Sequence, residues 1–318
     1  MKIVITDGFA VNPGDLSWDI MNQFGQVDIY NDTPNHLAAQ RIGDADIAII
    51  NKTLIDEALL AQCPNLKLIC VAATGYNVVD CEAAAKRNIT VCNVPGYGTN
   101  AVAQFTFSLL LELCNRIGHH DRLVHQGEWG RRAGFCFWDT PQTELAGKTI
   151  GIIGFGSIGQ AVGTIAKAFG MEVLAYNRSR SPQGALIGTY VELEELLQQS
   201  DIVSLHCPYT PQTHQIINAE TISMMKDGAI LLNTARGAVI DETAVSEALI
   251  SGKLRGAAMD VVTAEPILET NPLYTAPNCI ITPHMAWAPL ESRQRIIDSI
   301  VKSIQGYLEG TPVNAVNL

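Results

Sequence analysis

Three polar residues stand where apolar runs give out in the second half of this chain. Arg236 lies in Leu232-Asn233-Thr234-Ala235-Arg236-Gly237, Glu265 in Ala258-Met259-Asp260-Val261-Val262-Thr263-Ala264-Glu265-Pro266, and His284 in Ile281-Thr282-Pro283-His284-Met285-Ala286-Trp287. Imidazole is the side chain that gains and loses a proton near neutral pH, so His284 can act as general acid and general base. A carboxylate such as Glu265 beside it favours the imidazolium by charge and hydrogen bonding and fixes the ring's orientation. The donor fork of Arg236 can grip a carboxylate and polarise a carbonyl. Singly they read as a surface charge, a loop acid and a core histidine. At three successive strand ends they form a set.

The element that must position them is the stretch Gly151-Ile152-Ile153-Gly154-Phe155-Gly156-Ser157-Ile158-Gly159, which follows the run Lys148-Thr149-Ile150. After it, Val162, Ile165, Ala166 and Phe169 fall at helical spacing. Strand, glycine turn, helix is the context in which Gly-x-Gly-x-x-Gly binds a dinucleotide. Gly154 allows the tight turn, Gly156 the approach of a pyrophosphate, and Gly159 close packing of helix on strand. Ser157 and Ile158 open a helix whose free amides and positive dipole end face the phosphates.

Further strands are expected at Glu172 to Tyr176, Ile202 to His206, Ala229 to Thr234, Gly256 to Val261 and Cys279 to Thr282, with helices at Leu193–Gln199, Ala219–Met225 and Glu242–Ile250. That makes six parallel strands, with ligands beyond their carboxyl ends. Cys207 and Pro208 after one strand, and Thr234 and Ala235 after another, join the cofactor-facing set. Upstream, residues 1 to about 100 alternate short strand-like and helix-like segments, including a helix from Asp15 to Phe24, which implies a second parallel sheet covered on both faces. A long apolar helix runs from about Asn100 to Ile117. An aromatic and glycine-rich arm, Gln126 to Thr143, follows; it packs on a second subunit or on its own domain. Glu291 to Leu308 is amphipathic and is expected to cross back to the first domain.

A length of 318 residues makes two domains the prior, and 47% apolar with 17% charged residues describes a globular chain. A formal net charge of −11 with no basic run argues against a nucleic-acid partner. No apolar run approaches a membrane span, and the opening Met1-Lys2-Ile3-Val4-Ile5-Thr6-Asp7 is a strand broken by an acid rather than a signal peptide. Eight cysteines without a Cys-x-x-Cys pair suggest thiols in a reducing compartment, hence the cytoplasm. His119, His120, Asp121 and His125 read as a solvated helix end, so no metal is expected.

An NAD site places an acid at the end of the second strand, on the adenosine ribose. Here the strand runs out as Tyr176-Asn177-Arg178-Ser179-Arg180. With Asn177 in the acid's place and two guanidiniums beside Ser179, a 2′-phosphate is favoured, and the reading leans to NADP over NAD.

These motifs, together with Ala73-Thr74-Gly75-Tyr76-Asn77-Val78-Val79-Asp80, resemble the D-isomer-specific 2-hydroxyacid dehydrogenases over nearly the whole chain. Phe135-Cys136-Phe137-Trp138-Asp139 and His284-Met285-Ala286-Trp287 are most similar to the glycerate dehydrogenase (hydroxypyruvate reductase) branch. The resemblance implies an α/β fold of two doubly wound parallel-sheet domains separated by a cleft. Residues 100–289 would form a Rossmann-type cofactor domain, and 1–99 with 290–318 a flavodoxin-like substrate domain, usually in a homodimer. It implies hydride transfer between NAD(P)H and a small 2-oxo acid such as hydroxypyruvate or glyoxylate, with Arg236, Glu265 and His284 catalytic. The amides around Thr74 and Gly75 would cradle the substrate carboxylate, and Asp260 would hold the nicotinamide carboxamide. A dehydrogenase for another D-2-hydroxy acid, or a dinucleotide-sensing corepressor-like binding protein, is the alternative on the same fold.

Overall fold

The computed structural model describes residues 1–317. It divides the chain into two compact units, Met1–Gly98 with the segment from Trp287 onward, and Thr99–Ala286.

In the first unit, strands β1 (Lys2–Ile5), β2 (Gln26–Ile29), β3 (Ile47–Ile50), β4 (Leu68–Val71) and β5 (Thr90–Cys92) form one parallel sheet in the order β2-β1-β3-β4-β5. Strand side chains alternate between faces, and here both faces are apolar. Val4, Ala48, Ile50, Ile69 and Val71 pack with the residues of short helices such as Asn35–Ile42 and Cys81–Lys86. On the other face Ile3, Ile5, Ile47, Ile49 and Leu68 meet Ile296, Ile297, Ile300 and Ile304 of the helix Leu290–Leu308. Those four isoleucines are at most 1% exposed, and burying each stabilises the unit by about 2 kcal/mol. The same helix buries Arg293, whose guanidinium donates to Asp15 through Nη1 at 2.7 Å and Nη2 at 2.6 Å.

The helix expected from Asp15 to Phe24 is only a 3-10 turn over Asp19–Phe24. The Asn12 side chain accepts the amides of Gly14 and Leu16, and Ser17 Oγ accepts that of Asp19, so local side-chain bonds outcompete a helix start.

The second unit opens with the helix Thr99–Asn115, shorter than expected. Arg116 adopts a left-handed conformation at φ 49° and a separate helix, Ile117–His125, begins. The sheet holds β6 (Thr149–Ile153), β7 (Glu172–Tyr176), β8 (Thr189–Tyr190), β9 (Ile202–Leu205), β10 (Ala229–Asn233), β11 (Leu254–Met259) and β12 (Cys279–Ile281), in the order β12-β11-β10-β9-β6-β7-β8. Seven parallel strands replace the expected six, because Thr189 and Tyr190 pair with Leu174 and Ala175 as a short edge. The order reverses at β6, between β7 and β9, and such a switch point opens a crevice beyond the strand ends.

The arm is not simply extended. It contains the short helix Glu128–Arg131 and folds back on itself: Trp129 Nε1 donates to the Phe135 carbonyl at 3.1 Å. Arg132 Nη1 donates to Asp139 at 2.6 Å, and His119 Nε2 lies 3.2 Å from the same carboxylate. No helix among the described residues is long and apolar enough to cross a membrane.

Candidate active site

The glycine turn is built by exclusion. Gly154 sits at φ 92°, and a Cβ there would lie 2.3 Å from Cys207 N, because the exit of β9 presses against it. A Cβ on Gly159 would meet the Gly154 carbonyl oxygen at 2.2 Å, so the helix Ser157–Ala168 seats directly on the turn. Gly156 instead faces open space, with nothing within 4 Å of an added Cβ. The amides of Ser157 and Ile158, in the helix's first turn, have no intrahelical acceptor. Open space on one side and free amides on the other fit a pyrophosphate.

Asn177 braces the turn from the end of β7. Its Oδ1 accepts the Phe155 N–H at 3.1 Å and its Nδ2 donates to the Ser179 carbonyl at 2.7 Å. The two arginines are not equivalent. Arg178 and Ser179 are exposed, and the Arg178 guanidinium has no partner among the described residues. Arg180 leans toward Glu192 at 3.4 Å and over the Tyr190 ring at 5.8 Å from its centroid. After β9, Cys207 is buried, which pushes its thiol up, and Pro208 is exposed. A nucleophilic thiolate would need the opposite shift.

The three catalytic candidates are linked through backbone. Gly237 makes the first link: a Cβ there would fall 2.0 Å from the Val262 carbonyl carbon, so the chain after Arg236 lies against the segment after β11. Val262 N–H donates to Glu265 Oε1 at 3.3 Å, and Glu265 Oε2 is 2.7 Å from His284 Nδ1. Nδ1 therefore carries the hydrogen toward Glu265. The side chains of His284 and Glu265 are 32% and 35% exposed, so the pair is reachable. Arg236 is exposed, and its Nη1 donates to the Ala235 carbonyl at 2.6 Å. Its loop is held by Asn233, whose Nδ2 donates to the Arg236 carbonyl at 2.8 Å and whose Oδ1 accepts the Ala235 N–H at 3.0 Å. Thr234 Oγ1 lies 3.1 Å from Thr106 Oγ1, tying that loop to the first helix of the unit.

Asp260 is 1% exposed and serves this segment directly. Its Oδ1 accepts Thr282 Oγ1 at 2.6 Å and Met285 N–H at 2.9 Å, and Oδ2 accepts Ala286 N–H at 2.8 Å. Burial raises its carboxyl above the usual range, although those donors pull it back. Asp260 thus holds the histidine loop, a role its sequence context did not suggest.

Thr74 and Gly75 belong to the first unit, just past β4. Thr74 is exposed, its hydroxyl donates to the Val94 carbonyl at 2.9 Å, and its own carbonyl accepts Asn93 Nδ2 at 2.7 Å. The hydroxyl is occupied, so backbone amides remain the groups this loop can offer.

Two features carry no signal in the sequence. Asp7 reads in the sequence only as an acid breaking a strand, yet its carboxylate accepts three successive backbone amides. His206, expected merely as the end of a strand, has Nδ1 sealed from solvent without a partner while Nε2 meets Ser204 Oγ at 2.8 Å. This enclosure drives its pKa down to about 3. Among the described residues no group of three or more His, Cys, Asp or Glu is arranged to hold a metal ion.

A parallel sheet with a glycine turn at its switch point, and an acid–histidine pair at the ends of neighbouring strands, define a nicotinamide-dependent oxidoreductase class. Residues 107–286 match the family model described as D-isomer specific 2-hydroxyacid dehydrogenase, NAD binding domain. A hydroxypyruvate reductase of Blautia hydrogenotrophica is 50% identical, with 100% of both chains covered. A glycerate dehydrogenase of Methylorubrum extorquens is 42% identical over 89% of each chain. Among solved structures, an acyclic imino acid reductase in complex with NADPH and D-Arg superimposes with a TM-score of 0.86 at 33% identity, covering 99% of this chain and 100% of that one. The chain belongs to the D-isomer-specific 2-hydroxyacid dehydrogenase family, and it is an oxidoreductase.

Proposed function

We propose that the protein reduces hydroxypyruvate to D-glycerate and glyoxylate to glycolate. The observation that carries this reading is the Glu265–His284 pair at 2.7 Å, an acid–imidazole couple suited to protonating a carbonyl oxygen. The full-length likeness to a hydroxypyruvate reductase supports the choice of substrate. When bound, the nicotinamide cofactor supplies the hydride to the carbonyl carbon. His284 Nε2 gives a proton to the carbonyl oxygen in reduction and takes it back in oxidation. Glu265 orients the ring by accepting the Nδ1 hydrogen at 2.7 Å. Arg236 grips the carboxylate and polarises the carbonyl. The Thr74 and Gly75 amides of the first unit, the substrate domain in this reading, share the carboxylate, and the second unit is the cofactor domain.

The cofactor set comprises Gly154, Gly156, Ser157, Ile158, Gly159, Asn177, Arg178, Ser179, Arg180, Cys207, Pro208, Thr234, Ala235 and Asp260. Asp260 keeps spare acceptor capacity for the carboxamide, because Oδ2 accepts from the Ala286 N–H alone among the described residues. NADP is preferred over NAD, and the absence of an acid at 177 with the unpaired Arg178 supports that preference. The active form is a cytoplasmic homodimer. The exposure of Trp129 at 51%, Phe135 at 88% and Trp138 at 63% on one arm supports a protein partner there. Oxidation of NADPH by purified protein with hydroxypyruvate, followed by nicotinamide absorbance, tests the reading; turnover is expected, and its absence would favour a binding protein.

A further inference from the structure

The carboxyl edge of the first sheet carries a polar clamp that nothing in the proposed chemistry yet uses. Asp7, at the end of β1, is 7% exposed. Its Oδ2 accepts the amides of Asn51 at 2.7 Å, Lys52 at 2.8 Å and Thr53 at 3.0 Å, all just past β3. Thr53 Oγ1 also reaches the carboxylate at 2.9 Å and Thr6 Oγ1 at 2.8 Å. Three consecutive amides converging on one anion form a nest, which fixes the backbone of the loop.

Asn51 is the residue so fixed. It is 9% exposed, and its Nδ2 donates to the Ala72 carbonyl at 2.8 Å. Because a carbonyl can only accept, this bond sets which end of the amide is nitrogen. The other end, Oδ1, has no partner among the described residues and is not sealed from solvent. An amide locked by its backbone and its nitrogen thus presents a single unused acceptor. Ala72 lies two residues before Thr74, and Asn93 Nδ2 on the Thr74 carbonyl secures that side of the edge. The acceptor therefore stands beside the loop assigned to the substrate carboxylate.

We propose that Asn51 determines specificity by accepting, at Oδ1, a hydrogen bond from a hydroxyl on the substrate carbon next to the carbonyl, with Asp7 as its positioning residue. This rests on the oxo-acid reading and on Thr74 and Gly75 as the carboxylate cradle. In a 3-hydroxy-2-oxo acid that hydroxyl oxygen is three bonds from the carboxylate carbon. Pyruvate carries a methyl group there and glyoxylate has no third carbon, so neither can satisfy the acceptor. A site that leaves a fixed polar group unpaired turns over the analogue lacking its partner less efficiently.

The experiment compares kcat/KM of the wild type and Asn51→Ala with hydroxypyruvate, pyruvate and glyoxylate under saturating reduced cofactor. The variant is expected to lose roughly 10- to 100-fold on hydroxypyruvate and less than about 3-fold on the other two. Retained turnover of those two acids also shows that the variant is folded. Equal change on all three, or no change on hydroxypyruvate, overturns the assignment. Asp7→Asn, which keeps one acceptor oxygen, is expected to raise KM for hydroxypyruvate with kcat within about 3-fold of wild type. An unaltered preference for hydroxypyruvate over pyruvate in that variant removes Asp7 from the assignment. A wild type that reduces all three acids equally well defeats the Asn51 role alone; one that reduces none defeats the reductase reading beneath it.

Discussion

His284 donates its backbone N–H to the Asp260 carbonyl at 2.8 Å, and the Asp260 carboxylate in turn receives the amides of the next two residues, Met285 and Ala286. This matters because His284 sits at φ 52°, in the left-handed region that non-glycine residues seldom occupy. Such a conformation costs on the order of 1 kcal/mol or more and persists only where neighbouring bonds over-determine it. Asp260 supplies those bonds, and through them the imidazole keeps its approach to Glu265.

Asp260→Ala is therefore expected to strand two amides and a hydroxyl and to destabilise the second unit by about 3 kcal/mol. Urea unfolding compared with wild type measures it. A loss under about 1 kcal/mol would mean that water replaces the carboxylate.

Glu265→Gln keeps the side chain's size but removes the charge facing His284 Nδ1. The expected outcome is a fall in kcat for reduction of roughly 10- to 100-fold, with dinucleotide affinity changed less than about 2-fold. Steady-state kinetics and a fluorescence titration with NADPH separate the two effects.

The unequal environments of the two arginines predict unequal phenotypes. Arg178→Gln is expected to raise KM for NADPH about 10-fold and to leave KM for NADH nearly unchanged. Arg180→Gln should do less, because that guanidinium already leans on Glu192 at 3.4 Å. Equal effects of Arg178→Gln on both cofactors would indicate that no 2′-phosphate is read there.

His206 predicts a pH dependence of stability. Its native pKa of about 3 lies below the ordinary value of 6.5, so between those values the unfolded chain binds the extra proton. Its contribution is flat above about pH 6.5, and stability falls as pH drops through the window, on the order of 1 kcal/mol per pH unit. His206→Asn should flatten the slope of unfolding free energy between pH 6 and pH 4 by about one proton. An unchanged slope would assign the acid sensitivity to other groups.

Much of this was legible in the sequence, for identifiable reasons. Gly154 and Gly159 are set by close contacts with the exit of β9 and within the turn, Gly156 by the open space beside it, and a strand-turn-helix pattern exposes all three. Arg236, Glu265 and His284 could be named because each ends an apolar run. What stayed hidden was set by side chains bonding distant backbone. The break at Arg116 and the 3-10 turn after Asn12 depend on local bonds that an apolar periodicity does not report. Asp7 acts across 44 to 46 residues of sequence, and nothing near it announces the three amides it holds. The edge strand β8, two residues long, is too short for any periodicity to mark.

In the proposed chemistry His284 moves a proton for a hydride transfer between reduced nicotinamide and a 2-oxo acid. Wild type and His284→Ala should be compared for NADPH affinity and for turnover of hydroxypyruvate in the same buffer. Affinities within about 2-fold of each other and a loss of turnover of at least about 100-fold in the variant are expected. Turnover in His284→Ala close to that of wild type would contradict that role.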